Sequence, residues 1–319
     1  MMNKSEIDWC DFTWNPITGC RHTCEYCYAR KQAKRFSGDI RLNKRSEQLQ
    51  ETFHFKEGDS AYKTYTLPKP FKSETGSTIL YPAGFEPTLH EYRLPMPAQK
   101  KKPANIFVCS MADLFGEWVP DEWIERVFDA CAAAPWHNYM FLTKNPRRLI
   151  NMGKAGKLPT GANYWYGTTI TAQNQPFFCS TQHNCFLSIE PLMAPFEFGI
   201  LPPAIRWIIV GAETGSRKAK TKPEKQWIHN IMATARAIGA AVLIKDSKEI
   251  REIWTDDLVQ EFPPELSREE KIIPRCDECE DLITVQDGKR GVRRACKKEN
   301  RAIPAKNART SPLWCPERK

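Results

Sequence analysis

Six short apolar runs after residue 105 decide the fold: IFVCS (106–110), YMFLTK (139–144), YWYGTT (164–169), CFLSIE (185–190), RWIIVGAE (206–213) and AVLIKD (241–246). Most end in polar residues, the pattern of strands buried on both faces of a parallel sheet. Helical patterns lie between some of them. Pro120 and Asp121 open a segment with Trp123, Ile124, Val127, Phe128 and Cys131 on one face, stopped by Pro135. Asn145–Pro146 starts a second, ahead of Leu149 and Ile150. Pro223 precedes a third, with Trp227, Ile228, Ile231, Met232, Ala235 and Ile238 apolar and Gly239 as its stop. Alternating strands and helices imply βαβ units with right-handed crossovers. With one or two strands nearer the N-terminus, the expected fold is α/β, a full or partial (β/α) barrel; an open doubly wound sheet is the alternative. The expected domains are 1–260, with 36–104 as a proline-dotted insertion of little regular core, and a small basic Cys-rich extension over 261–319.

The chain has 319 residues, 41% hydrophobic and 27% charged, as expected of a globular protein. No apolar run is long enough to span a bilayer, so no membrane partner is expected. The start, MMNKSEIDWCDF, lacks an apolar signal core, and the expected location is cytoplasmic. In a reducing compartment, twelve cysteines read as metal ligands or small buried hydrophobes rather than disulfides. The net charge is +9, of which residues 271–319 hold +6. That tail suggests a polyanionic partner, nucleic acid being the usual one, or else a solvated basic surface.

Chemistry in such folds gathers at the carboxyl ends of the strands. The polar residues there are Ser110, Asp113, Lys144, Thr169, Glu190, Glu213 and Lys245. Each reads equally as a pocket group or as a loop cap; six strands converging on one face favour a shared pocket.

Near the N-terminus the sequence reads TGCRHTCEYCYAR (18–30), with cysteines spaced Cys20-x3-Cys24-x2-Cys27. Three thiolates hold three irons of a four-iron cluster and leave the fourth open to a ligand. Zinc is the alternative, with His22 or Cys10 as fourth ligand. A redox dithiol would need only Cys24 and Cys27.

This spacing, with Tyr26 before the third cysteine, resembles the signature of the radical S-adenosylmethionine (SAM) superfamily. The resemblance implies a [4Fe–4S] cluster on Cys20, Cys24 and Cys27, with SAM chelating the open iron and Tyr26 at its adenine. It implies reductive cleavage of SAM to methionine and a 5′-deoxyadenosyl radical, driven by a low-potential flavodoxin- or ferredoxin-type donor. The wider series IDWCDFTWNPITGCRHTCEYCYA, VCSMADLFGEWVP, FLTKNPRRL, LSIEPL and IIVGAETG resembles the phage Gp37/Gp68-like family, domain of unknown function 5131. That resemblance covers about residues 5–250 and implies a radical SAM-type barrel. Ala212 stands where the family's pattern has a second glycine, and Lys245-Asp246-Ser247 where it has Lys-Gln. Within this reading Glu190, Glu213 and Asp113 are candidate catalytic groups. Tyr26, Ser110, Lys144, Thr169 and Lys245 are candidate cofactor-binding groups, the lysines for the SAM carboxylate or an anionic substrate.

The tail holds Cys276, Cys279, Cys296 and Cys315, spaced C-x2-C-x16-C-x18-C. A close pair plus two more thiols suits a four-thiolate zinc site, with an auxiliary Fe–S cluster as the alternative. Three functions follow: a radical SAM enzyme acting on a nucleic-acid base or modified nucleotide, one acting on a peptide or protein, or a non-enzymatic zinc-stapled nucleic-acid-binding protein.

Overall fold

A computed structural model describes residues 2–55, 61–197, 199, 201–214, 220–255, 257–267, 279, 281–286 and 292–303. The chain divides into two compact units, Met1–Leu266 and Ser267–Lys319. In chain order the first unit begins with β1 (Met2–Lys4), β2 (Phe12–Trp14), β3 (Ile17–Thr18), α1 (Tyr28–Arg35) and α2 (Ile40–Asn43). Then come β4 (Gln50–His54), β5 (Tyr62–Leu67), β6 (Thr88–His90), α3 (Met96–Gln99) and β7 (Asn105–Val108). The remainder is α4 (Asp121–Ala132), β8 (Asn138–Thr143), α5 (Pro146–Lys154), β9 (Tyr164–Thr169), β10 (Asn184–Ile189), β11 (Ile205–Val210), α6 (Lys225–Ala237), β12 (Ala241–Ile244) and α7 (Lys248–Arg251).

The six expected strands form as β7 to β12, and the three expected helices as α4, α5 and α6. They belong to one mixed α/β layer system around a sheet ordered β1-β2-β7-β8-β9-β10-β11-β12. All its pairings are parallel except β1 with β2. From β2 onward the strand order follows the chain without reversal, so the sheet is not doubly wound.

The period-2 alternation of each strand sorts its side chains between two cores. Ile106, Phe141, Tyr166, Leu187 and Val210 face the helices and pack with Ile124, Val127, Leu149, Ile228 and Ile231. Phe107, Met140, Trp165, Phe186, Trp207 and Leu243 make the opposite cluster with Trp9, Cys10 and Leu266. The Trp9 ring lies 4.5 Å from Phe107 on β7 and 6.3 Å from Trp207 on β11. In a flat sheet those strands would be about 19 Å apart, four steps of roughly 4.8 Å. The sheet is therefore curled around Trp9. It does not close: among the described residues no ladder joins β12 to β1 or β2, so the full-barrel alternative is not met. Instead Ile244 N–H donates to Val259 O and Glu261 N–H to Val242 O, each at 2.8 Å, so residues 259–261 cover the free edge of β12.

The turn Pro264–Leu266 stoppers the amino ends of the strands. Asn105 and Asn138 side chains donate to the carbonyls of Leu266 and Glu265, and Arg206 grips the Glu265 carboxylate through two bonds. Leu266 is fully buried in the concave core. These contacts carry the first unit to Leu266, six residues past the expected boundary at 260.

The stretch 36–104 holds more structure than its prolines suggest. Its strands β4, β5 and β6 join β3 in a four-stranded sheet ordered β3-β6-β5-β4, and Leu49, Tyr65, Leu67, Phe71 and Ala83 form a small core of their own. Its strands are short and its apolar residues scattered, which hides the periodicity.

Within the second unit, β13 (Leu282–Gln286), β14 (Val292–Cys296) and β15 (Arg301–Ala302) form an antiparallel sheet. No helix among the described residues is long and apolar enough to cross a membrane.

Candidate active site at the carboxyl ends of the strands

The cysteine loop follows β3 and sits over the open end of the curled sheet. Gly19 has φ +88°, and a Cβ there would lie 2.1 Å from Glu86 O, so only glycine lets the chain turn so close to the Glu86–Pro87 backbone. Cys20 N–H then donates to Phe85 O at 3.1 Å. Arg30 reaches back to the carbonyls of His22 (2.6 Å) and Cys20 (3.4 Å), its guanidinium stacked over Phe85. Cys27 N–H donates to Cys24 O, and the Cys27 sulfur caps α1 by accepting from Arg30 N–H at 3.3 Å.

Cys20, Cys24 and Cys27 line one cleft of about 200 Å³ with Ser110, Asp113, Lys144, Thr169, Glu190 and Lys245. Nine of the eleven site residues expected in the first unit thus come together. Tyr26 lines an adjoining smaller recess shared with Lys144 and Thr169, and the Lys144 ammonium lies 5.7 Å from its ring centre. Glu213 does not line the cleft and is buried at 2% exposure.

Asp113 is buried too, and both its oxygens are engaged. Oδ1 accepts from Thr143 Oγ1 (2.6 Å) and Phe115 N–H (3.1 Å). Oδ2 accepts from Lys144 N–H (2.9 Å) and pairs with His22 Nε2 (2.9 Å). These four contacts tie the cysteine loop to the ends of β7 and β8.

Across the cleft Glu190 Oε1 meets Lys245 Nζ at 2.8 Å, and Ser188 Oγ donates to Glu190 Oε2 at 3.0 Å. Glu190 holds the Lys245 ammonium above its ordinary pKa. Burial pushes the Cys20 thiol up to about 12, and Asp113 and the other two thiols add to the effect. Three sulfurs gathered on one cleft are the ligand type that iron binds. This donor set fits an iron–sulfur cluster.

A single zinc ion fits less well. Both candidates for its fourth ligand have other partners: His22 pairs with Asp113, and Cys10 donates to Ser5 Oγ. A four-iron cube is wider than one ion and spaces its thiolates further apart.

Sequence reasoning missed four contributors. Asn15 Oδ1 accepts from Met111 N–H (2.9 Å) and pairs with Ser110 Oγ (3.2 Å), fixing the turn after β7. Cys109, at the head of that turn, has φ +62°. Tyr28 lines the cleft and donates to Ser110 O at 2.7 Å. Trp9 also lines it, with its buried indole N–H unpaired. All four lie inside or beside the quoted motifs, and position within a motif was the available signal.

The sequence matches, over residues 4–254, the family described as protein of unknown function (DUF5131). The chain belongs to this family. Its match ends inside the first unit, after α7, and takes in every cleft residue. No curated protein matches the sequence. Among solved structures, a spore photoproduct lyase double mutant with bound AdoMet and dinucleoside spore photoproduct aligns at 8% identity and TM-score 0.36, covering 94% of this chain and 72% of that one.

Of the four C-terminal cysteines expected to bind metal, Cys276 and Cys315 lie outside the described residues. Cys296 pairs in register with Leu282, and Leu282 N–H donates to Cys279 O at 3.0 Å. Cys279 and Cys296 therefore sit at the same end of one hairpin.

Proposed function

We propose that this protein is a radical SAM enzyme acting on a nucleic-acid base or modified nucleotide. The observation that carries the reading is the shared cleft. Three thiols of a C-x3-C-x2-C loop open onto it at the carboxyl ends of a curled parallel sheet, opposite an ordered Glu190–Lys245 pair. Cys20, Cys24 and Cys27 would hold a [4Fe–4S] cluster, which when bound with SAM supplies the electron that splits the sulfonium. Lys245 offers a fixed ammonium to a carboxylate, and Glu190 orients it. Tyr26 and Thr169 flank the recess beside Lys144, a flat site for a purine ring. The aromatic floor of Trp9 and Phe107 keeps bulk water from the reacting end. The curled sheet is read as the partial barrel of this superfamily, fed by a low-potential flavodoxin- or ferredoxin-type donor. The basic C-terminal residues motivate the substrate class.

The test is SAM cleavage by the anaerobically reconstituted full chain with dithionite, read as 5′-deoxyadenosine by chromatography. Wild type should be brown, hold about four irons at this site and form the product. The triple Cys20/Cys24/Cys27→Ala variant should show none of the three. A colourless, iron-free wild type would refute the cluster and favour a zinc-stapled nucleic-acid-binding protein.

A further inference from the structure

The chain leaving the cleft is strongly cationic. Residues 30–45, RKQAKRFSGDIRLNKR, hold seven Lys or Arg and one acid, Asp39. That acid is already engaged: its Oδ1 caps α2, accepting from Arg41 N–H (2.9 Å) and Leu42 N–H (3.3 Å). Ala29 and Ala33 turn inward, which leaves the charged side of α1 outward. Lys31, Lys34, Arg41 and Arg45 are exposed, and none is paired with a carboxylate among the described residues. Exposed rings stand at both ends of α1, Tyr28 at 55% and Phe36 at 42%. Tyr28 also lines the cleft.

We infer that this ridge grips the phosphodiester backbone of a single-stranded nucleic acid and leads one base into the cleft. Exposed cations close in sequence, with no carboxylate partner among the described residues, repel one another, and a polyanion relieves that repulsion. The eight residues of α1 span about 12 Å, long enough to meet more than one phosphate of an extended strand. The rings at its ends offer stacking faces, which bases use and an acidic protein surface does not. The delivery of a base to chemistry rests on the radical SAM reading above; the grip itself does not.

The experiment is anisotropy of labelled mixed-sequence 20-mers of single-stranded DNA and RNA against the full-length chain, from 50 to 200 mM salt. Wild type is compared with K31A/K34A/R41A/R45A and with each double variant, K31A/K34A and R41A/R45A. All carry the same C-terminal residues, so that share of binding cancels. Each lost phosphate contact should flatten the slope of log affinity against log salt by about 0.7. The quadruple variant should lose nearly three in slope and at least about tenfold in affinity at low salt. The double variants, matched to wild type by circular dichroism and melting, should each lose about half that slope and so control for misfolding.

Absence of wild-type binding, or equal slopes in all variants, would overturn the proposal. Iron content in the same samples separates the two readings. Full iron with equal slopes sinks the ridge alone; missing iron with flattened slopes sinks the cluster alone. Equal slopes with loss of flavodoxin-driven but not dithionite-driven cleavage would assign the ridge to an acidic electron donor instead.

Discussion

Glu190 and Lys245 stand 2.8 Å apart at the ends of β10 and β12, separated in the sheet by β11, and Gly211 at the end of β11 leaves room between them. A Cβ on Gly211 would lie 2.9 Å from Glu190 Oε1 and 3.1 Å from Lys245 Cδ. These are far ends of flexible side chains, so Gly211→Ala should splay the pair while the backbone holds. The expected result is a loss of about 1–2 kcal/mol in stability, with a larger fall in SAM affinity. Isothermal titration with SAM and a thermal melt check both; unchanged affinity would remove the pair from the binding site.

Gly19→Ala should behave differently. The added Cβ would meet backbone, at 2.1 Å from Glu86 O, at a φ that side chains rarely adopt. Neither side can yield without moving the cysteine loop. Reconstituted iron should fall to near zero while far-UV circular dichroism stays within the wild-type range.

Asp113→Asn keeps the size and loses the charge. The new amide puts an NH2 against donors that now bond a carboxylate, leaving at least one buried donor unpaired. The expected cost is about 2–3 kcal/mol, read as a drop in melting temperature together with reduced iron content. A variant as stable as wild type would show that the four bonds to Asp113 do not brace the loop.

Neutral pH should separate wild type from Glu261→Gln, and acid should erase the difference. Arg236 donates to both Glu261 oxygens at 2.6 and 2.8 Å and holds this carboxyl below its ordinary pKa. A depressed carboxyl stabilises the fold above its unfolded value of about 4.3. That stabilisation disappears as pH falls through the lower folded value. The side chains are 51% and 39% exposed, so the difference is only about 0.5 kcal/mol near neutrality. Melting curves from pH 3 to 7 should converge at the acid end; a constant gap would refute the assignment.

The C-terminal hairpin makes a prediction about metal. Cys279 and Cys296 share one end of it, so Cys296→Ser should remove about one bound zinc per chain and spare dithionite-driven SAM cleavage. Elemental analysis of both proteins decides it. Loss of several irons instead would identify an auxiliary cluster.

Much of this architecture was legible because parallel strands buried on both faces announce themselves as apolar runs. IFVCS, YMFLTK and CFLSIE became β7, β8 and β10 with ends shifted by one or two residues. The pocket was legible for the same reason: residues just past a strand's carboxyl end, such as Ser110, Lys144 and Glu190, must share one rim. Glu213, three residues past β11, is buried and is not among the residues lining the cleft. The insertion sheet was illegible because β3 and β6 are two and three residues long, too short for a period to show. The role of Asp113 was illegible for another reason. A carboxylate that braces and one that reacts look alike until their donors are counted.

The seam of the curled sheet has a kinetic consequence. Asp246 N–H donates to Asp8 at 2.7 Å, a contact 238 residues apart in sequence, and Trp9 fills the core beside it. Contacts of such high order form late, because the loop they close is long. At about 5–20 residues per second of synthesis, Lys245 follows Cys27 out of the ribosome by roughly ten to forty seconds. Until then the thiols face half a cleft, without the strand that carries Lys245. The oldest motif in the nascent chain is the last to acquire its surroundings, so its three thiols stay uncovered throughout that interval.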